Sequence, residues 1–330
     1  MLSFTKINKD STPIAYVTSG EKKDQIIWLT KENIDKVPNE MKEKVKDFEQ
    51  VIDFTSLQKQ YKKMYGANIR LNSLDHKIIN KCIKDNIEPD DERLKRICSL
   101  IREKMKTDAT TSIQVDDGFL MYLPPLDRSF RMYVAGPAGS GKSVMCGKIM
   151  GEFKKSRPKS KIFVFSDVSE DKALDKFEPV RVLLNNEIVE KPITINDIPP
   201  SSLLLFDDVD AIPDKKIKKS INILQNEILR RGRHPPGFAE GGKPEISCIN
   251  TAHNMTSYSE TRIILNESNL ICVYPRSTSK YNLTYVLTKY YGMTPEEVNH
   301  LISLPTRWAI VCRDYPSWVL WQSGLYFLKR

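Results

Sequence analysis

Gly136-Pro137-Ala138-Gly139-Ser140-Gly141-Lys142-Ser143 fits the phosphate-binding pattern G-x-x-x-x-G-K-S/T with no adjustment. Ahead of it, Arg131-Met132-Tyr133-Val134-Ala135 is apolar and β-prone; behind it, Val144 to Phe153 reads as helix. A strand, a glycine-rich turn and a helix in succession are what give this motif its meaning. The glycines let consecutive backbone N–H groups point into one cavity, and the following helix adds the positive end of its dipole. Lys142 is then placed for the β- and γ-phosphates and the Ser143 hydroxyl for Mg²⁺. The plain alternative, a helix C-cap and a loop, leaves the Gly-Lys-Ser ending unexplained. The expectation is a bound nucleoside triphosphate.

A second stretch belongs with the first. Leu203-Leu204-Leu205-Phe206 reads as a buried strand, and Asp207-Asp208 stand at its C-terminal end, where the ligand crevice of an open α/β sheet lies. Asp207 is placed to hold a hard cation, and Asp208 to orient and deprotonate an attacking water. A strand that simply ends in a polar turn would look the same without the upstream phosphate loop. Ile246 to Thr251 reads as the next core strand, ending in Ala252-His253-Asn254, whose polar groups would face a γ-phosphate.

The chain has 330 residues, 40% of them apolar and 28% charged, which is ordinary for a globular protein with a real core. Lys plus Arg (51) exceeds Asp plus Glu (42), so the net charge is +9 and a polyanionic partner is favoured. The six cysteines form no C-x-x-C pair and sit among apolar neighbours, which reads as buried thiols in a reducing compartment rather than disulfides or zinc sites. No signal-peptide pattern opens the chain and no apolar run approaches membrane-spanning length, so no membrane insertion is expected.

Two domains are expected, 1–115 and 116–330. In the first, Pro13–Val17 and Gln25–Leu29 could pair as a hairpin. Met41, Val45, Phe48 and Ile52, then Leu74, Ile78, Cys82 and Ile83, then Leu94, Ile97, Cys98, Ile101 and Met105, repeat at helical spacing. Asp108 to Gln114 reads as a linker. The second domain alternates continuous apolar runs with helical segments, the signature of parallel strands buried on both faces. Pro213 to Arg231 is a strong amphipathic helix with Lys215, Lys216, Lys218 and Lys219 in its first turns; contact with a polyanion and a merely solvated face both account for them. Thr294-Pro295-Glu296-Glu297 is a capping box, and the final apolar runs suggest antiparallel strands. No N-K-x-D base-reading motif or L-S-G-G-Q-like signature is present.

The phosphate loop, Leu203–Asp208, Leu229-Arg230-Arg231-Gly232-Arg233-His234, Thr251-Ala252-His253, Thr261-Arg262-x-x-Leu265-Asn266-Glu267, Val273–Arg276 and Leu304-Pro305-Thr306-Arg307-Trp308 occur in that order. This succession, over roughly residues 117–330, resembles the genome-packaging ATPases of large double-stranded DNA viruses and virophages, a branch of the FtsK/HerA superfamily. The resemblance implies a RecA/FtsK-like P-loop fold with a mostly parallel sheet and antiparallel C-terminal strands, preceded by a mainly helical region. It implies ATP and Mg²⁺, a homo-oligomeric ring (hexamer or pentamer), double-stranded DNA and capsid proteins as partners, and work in the host cytoplasm and the virion. Gly136 to Ser143 would bind ATP. Ser143 and Asp207 would hold Mg²⁺, and Lys142 and Asp208 would serve the chemistry. Thr251 and His253 would be the polar sensors, with Arg262 the arginine finger ahead of Arg231 and Arg233. Many superfamily members carry Glu where this chain has Asp208. A cellular FtsK/HerA-like or helicase-like translocase is the rival enzyme, and a scaffold that binds ATP without cycling is the rival outside enzymology; the Thr261–Trp308 succession and the retention of Asp208 speak against each in turn.

Overall fold

The computed structural model describes residues 1–31, 54–233, 245–256 and 261–328. These fall into two compact units, residues 1–3 with 30–113, and residues 4–29 with 114–330. Met41, Val45, Phe48 and Ile52 lie outside the described residues, as does His234 of the basic turn.

The first unit contains three described helices, α1 (Phe54–Tyr65), α2 (Ser73–Lys84) and α3 (Glu92–Thr111). They share a core of Leu57, Tyr61, Ile79, Cys82, Leu94, Ile97, Cys98 and Ile101. Asn72 caps α2 by accepting from the N–H groups of Leu74 and Asp75, and Asp75 returns the bond to the Asn72 N–H. Leu74, in the first turn, is exposed; Ile79 is fully buried, and Ile78 and Ile83 pack against the core beside it. α3 runs on to Thr111, so the first half of the expected linker is helical.

The division at residue 115 needs correcting. β1 (Thr12–Val17) and β2 (Ile26–Leu29) do form the expected antiparallel hairpin, but β3 (Leu120–Tyr122) pairs with β1, Ala15 opposite Tyr122. Main-chain pairing thus ties residues 4–29 to the second unit, and no local pattern in the sequence announces it.

The main sheet of the second unit is built from β4 (Arg131–Ala135), β5 (Ile162–Ser166), β6 (Val180–Leu183), β7 (Leu203–Phe206), β8 (Ser247–Ala252), β9 (Leu270–Val273), β10 (Ala309–Cys312), β11 (Trp318–Trp321) and β12 (Gly324–Phe327). These are nine of the ten strands of the sheet, in the order β12-β11-β10-β9-β4-β8-β7-β5-β6. From β9 to β6 all neighbours are parallel, and from β9 outward to β12 all are antiparallel. The fold is therefore mixed α/β with a mostly parallel sheet and an antiparallel C-terminal edge. The interior strands are buried throughout, which is why they read as unbroken apolar runs. β6 is the edge strand, and Val180 and Leu183 are exposed on it. All six cysteines are buried free thiols.

α4 (Lys142–Ser156), α5 (Lys215–Arg231), α6 (Arg262–Glu267), α7 (Lys280–Lys289) and α8 (Pro295–Ser303) cover the sheet. α5 buries Ile217, Ile221, Leu224 and Ile228, and the capping box of α8 closes as its sequence requires. On α4, Gly147 lets a neighbouring turn approach so closely that an added Cβ would lie 2.3 Å from the Ala173 carbonyl oxygen. A helical Gly→Ala change gains roughly 1 kcal/mol in propensity, whereas overpacking against backbone costs about 1–3 kcal/mol. The clash should win, and Gly147→Ala should melt a few °C below the wild type in a calorimetric scan. A higher melting temperature would mean that the turn at Ala173 yields freely.

Candidate functional site

Three parallel strand ends converge on the phosphate loop. β4 delivers the loop itself, β7 delivers Asp207 and Asp208, and β8, lying between them, delivers Thr251 and then His253. In the loop, Gly139 and Gly141 have φ of +75° and +107°, left-handed values that a side chain resists. The reversal at Gly141 starts α4 at Lys142, which aims the lysine back over the loop.

Lys142 is buried, 7% exposed. Its Nζ donates to the Gly136 carbonyl at 3.1 Å, lies 3.2 Å from His253 Nδ1 and stands 3.7 Å from Asp208 Oδ2. His253 Nε2 is 2.9 Å from that same Asp208 oxygen. A ring nitrogen facing an ammonium must accept, so Nε2 carries the proton and donates to Asp208. Asp208 itself sits at φ +45°, a left-handed turn that Asp tolerates better than most residues. This turn separates it from Asp207, and the two carboxylates take different partners.

Thr251 joins them. Its Oγ1 lies 3.0 Å from Asp207 Oδ1 and 2.8 Å from Asp208 Oδ1, and accepts the Asp208 backbone N–H at 2.8 Å. One hydroxyl has one proton, so it can donate to only one carboxylate at a time. Ser166, from the end of β5, donates to Asp207 Oδ2 at 3.1 Å. Burial, and after it the Asp208 charge, push the Asp207 carboxyl above its ordinary range against these hydroxyl bonds. No basic side chain lies within ion-pair distance of Asp207 among the described residues. A half-buried carboxylate with hydroxyl partners and no cation suits a hard divalent ion, and so does the Ser143 hydroxyl. The described residues form no group of three or more His, Cys, Asp or Glu that could hold a metal ion.

One contributor carried no assigned role in the sequence. Arg307, in the loop between α8 and β10, donates from Nε to the Ser140 carbonyl at 3.0 Å and from Nη2 to the Gly139 carbonyl at 3.0 Å. Its own N–H is held at 2.6 Å by Gln322 Oε1, from the turn between β11 and β12. The Ser140 N–H is itself donated to the Pro137 carbonyl at 3.2 Å, so Arg307 and this internal bond together fix the Gly139 and Ser140 peptides of the loop. Only the Thr306-Arg307-Trp308 succession hinted at this residue. Arg262 opens α6 on the surface and is exposed; it is not one of the groups gathered around Lys142. Arg231 is also exposed, 3.6 Å from Glu227, and Arg233 is exposed.

No family model matches the chain. It is 31% identical over 208 residues to the uncharacterized protein V3 of the Sputnik virophage, covering 62% of this chain and 80% of that one. The chain belongs to the V3 family. Among solved structures it is similar to the genome packaging NTPase B204 of Sulfolobus turreted icosahedral virus 2, at 14% identity and a TM-score of 0.39, over 61% of this chain and 97% of that one. It is also similar to the pCW3 conjugation coupling protein TcpA, at 11% identity and a TM-score of 0.40, over 66% of each. Both likenesses are loose, and the chemistry of this V3-family chain rests on its own geometry. Among the described residues no helix is long and apolar enough to cross a membrane.

Two outcomes test the site. Arg307→Ala should weaken nucleotide binding about tenfold, the worth of one or two exposed hydrogen bonds, with Arg307→Lys in between; isothermal titration with a non-hydrolysable nucleotide reads it. Asp207 has a raised folded-state pKa, so the stability it contributes to the ligand-free chain is complete below the unfolded carboxylate pKa and is lost as pH rises through the folded one. Asp207→Asn should therefore melt above the wild type at neutral pH without ligand, and melt with it in acid.

Proposed function

We propose that the chain is an ATP-hydrolysing motor that moves double-stranded DNA, packaging a viral genome into a preformed capsid. The observation that carries this reading is the connected set Lys142, His253, Asp208, Thr251 and Asp207 at three adjacent strand ends. A nucleotide-binding scaffold needs the lysine and the metal carboxylate; it does not need a second carboxylate linked to a histidine and to the lysine.

In the ligand-free chain Lys142 is held by the Gly136 carbonyl and faces Asp208. An arriving triphosphate competes for the ammonium, and each step of Lys142 towards it leaves Asp208 free to take a proton from water. Ser143 and Asp207 would hold Mg²⁺, which would supply charge neutralisation to the phosphates. Thr251, whose one hydroxyl proton goes to either carboxylate in turn, couples the charge of the two, and His253 links Asp208 to Lys142. Arg262, exposed at the head of α6, is the finger offered to a neighbouring subunit's nucleotide, which makes activity depend on a ring.

The net charge of +9 suits a non-specific grip on a phosphate backbone. A cellular translocase would use the same site; the Thr261–Trp308 succession and a virophage relative favour packaging. Steady-state hydrolysis with and without long duplex DNA, over a range of protein concentration, should show DNA-stimulated, cooperative activity. Indifference to both would sink the motor. Asp208→Asn should keep ATP affinity and lose turnover by at least about 100-fold. Mixed with inactive Arg262→Ala protein, it should restore part of the activity, since each variant supplies what its neighbour lacks; an inactive mixture would remove Arg262 from its role.

A further inference from the structure

The outer face of α5 is polar and basic. Lys215, Lys219, Asn222, Asn226 and Arg230 follow one another at helical spacing, opposite the buried Ile217, Ile221, Leu224 and Ile228. The stripe is about 22 Å long, the axial rise of roughly six base pairs of duplex. At its head Lys215, Lys218, Lys219 and Asn222 line a cleft of about 460 Å³, with Gln225 from the same helix and Ile263 from α6. None of its lining residues is acidic. The nearby Asp214 is already engaged, accepting from the N–H groups of Lys216 and Ile217.

The cleft is joined to the nucleotide site by two short routes. Lys218 Nζ donates to the Asp210 carbonyl at 2.7 Å, two residues beyond Asp208. Gln225, only 6% exposed, donates to the fully buried Asn250 side chain at 2.9 Å, and the next residue along β8 is Thr251. Hydrogen bonds thus connect this face to the backbone two residues beyond Asp208 and to the strand residue before Thr251.

We propose that the α5 stripe is the seat of the duplex DNA backbone, and that Gln225 and Lys218 carry its occupancy to Asp207 and Asp208. The proposal rests on the motor reading and names the surface that it needs. The occupant is chosen by local charge: the stripe carries Lys215, Lys219 and Arg230, the cleft at its head adds Lys218, and no acidic residue lines that cleft, so a polyanion suits it. A phosphate backbone fits it without sequence preference, since lysines and an arginine pair with phosphates, and the stripe has no carboxylate to select a base.

The test uses the full chain with a long duplex, by fluorescence anisotropy over 50–200 mM salt with a non-hydrolysable ATP analogue, alongside ATPase assays and mass photometry. Lys215→Gln/Lys219→Gln should flatten the slope of log affinity against log salt by about 2, one for each lysine removed. Hydrolysis without DNA should be unchanged and stimulation by DNA lost. Gln225→Leu should keep the wild-type salt slope and hydrolysis without DNA, yet lose stimulation. A double variant with the wild-type slope overturns the seat while the motor stands. A double variant that keeps the slope but no longer assembles makes the stripe a subunit contact, and also overturns it. Wild-type protein that binds no duplex sinks the motor reading and the seat together. Full stimulation in Gln225→Leu overturns the relay.

Discussion

An ammonium group taken out of water must be given partners, and this site is arranged around that requirement. Lys142 is buried at the head of α4, and its partners come from three strands: the Gly136 carbonyl at the end of β4, Asp208 beyond β7 and His253 beyond β8. Two of these partners, Asp208 and His253, are also groups that hydrolysis would use. The lysine's resting contacts and its working contacts thus compete, and a bound triphosphate is the natural arbiter. Asp207 faces the opposite problem, a carboxylate held by hydroxyls without a cation, and a divalent ion resolves it. The two defects are complementary to one ligand, a nucleotide that carries a metal.

The position of β8 makes this possible. Because it lies between β4 and β7, its end stands between the loop and the two aspartates, and the Thr251 hydroxyl can meet both carboxylates. Had β7 paired directly with β4, Asp208 and Lys142 would need no intermediary, and nothing would tie the charge on one carboxylate to the other. The left-handed turn at Asp208 serves the same end, pointing the second carboxylate towards lysine and histidine while the first stays against Ser166 and Thr251.

What could be read from the sequence was whatever is local. The phosphate loop is contiguous, and its glycines are required by backbone angles within the loop itself. Asp207 and Asp208 follow an apolar run that can only be a buried strand, and Thr251 and His253 follow another. Ser166 and Arg307 were invisible as site residues for a common reason: each reaches the site across the sheet, from β5 on one side and from beyond α8 on the other. Strand order is a long-range property, and no spacing rule reveals that β8 is inserted between β4 and β7. The same holds for residues 4–29, whose pairing partner β3 lies about a hundred positions away in the chain. In α2 the apolar spacing found the buried face, with Cys82 in the core and Ile78 and Ile83 against it, but it took in the exposed Leu74 and passed over Ile79.

The antiparallel C-terminal edge then has a purpose that its apolar pattern does not disclose. β10, β11 and β12 extend the sheet beyond β9, and the turn between the last two presents Gln322 to the Arg307 N–H and to Thr306. Arg307, so fixed, holds the outside of the loop by two carbonyls while Tyr274, at the end of β9, closes on Gly136 so tightly that an added Cβ would lie 2.7 Å from its ring. A loop rich in glycine is free to adopt many shapes, and only one of them cradles a phosphate. Its stiffness must therefore come from outside, and residues far along the chain supply it. The edge of the sheet shapes the loop, so the unit that carries the site extends to β12, past the last recognisable motif at Trp308.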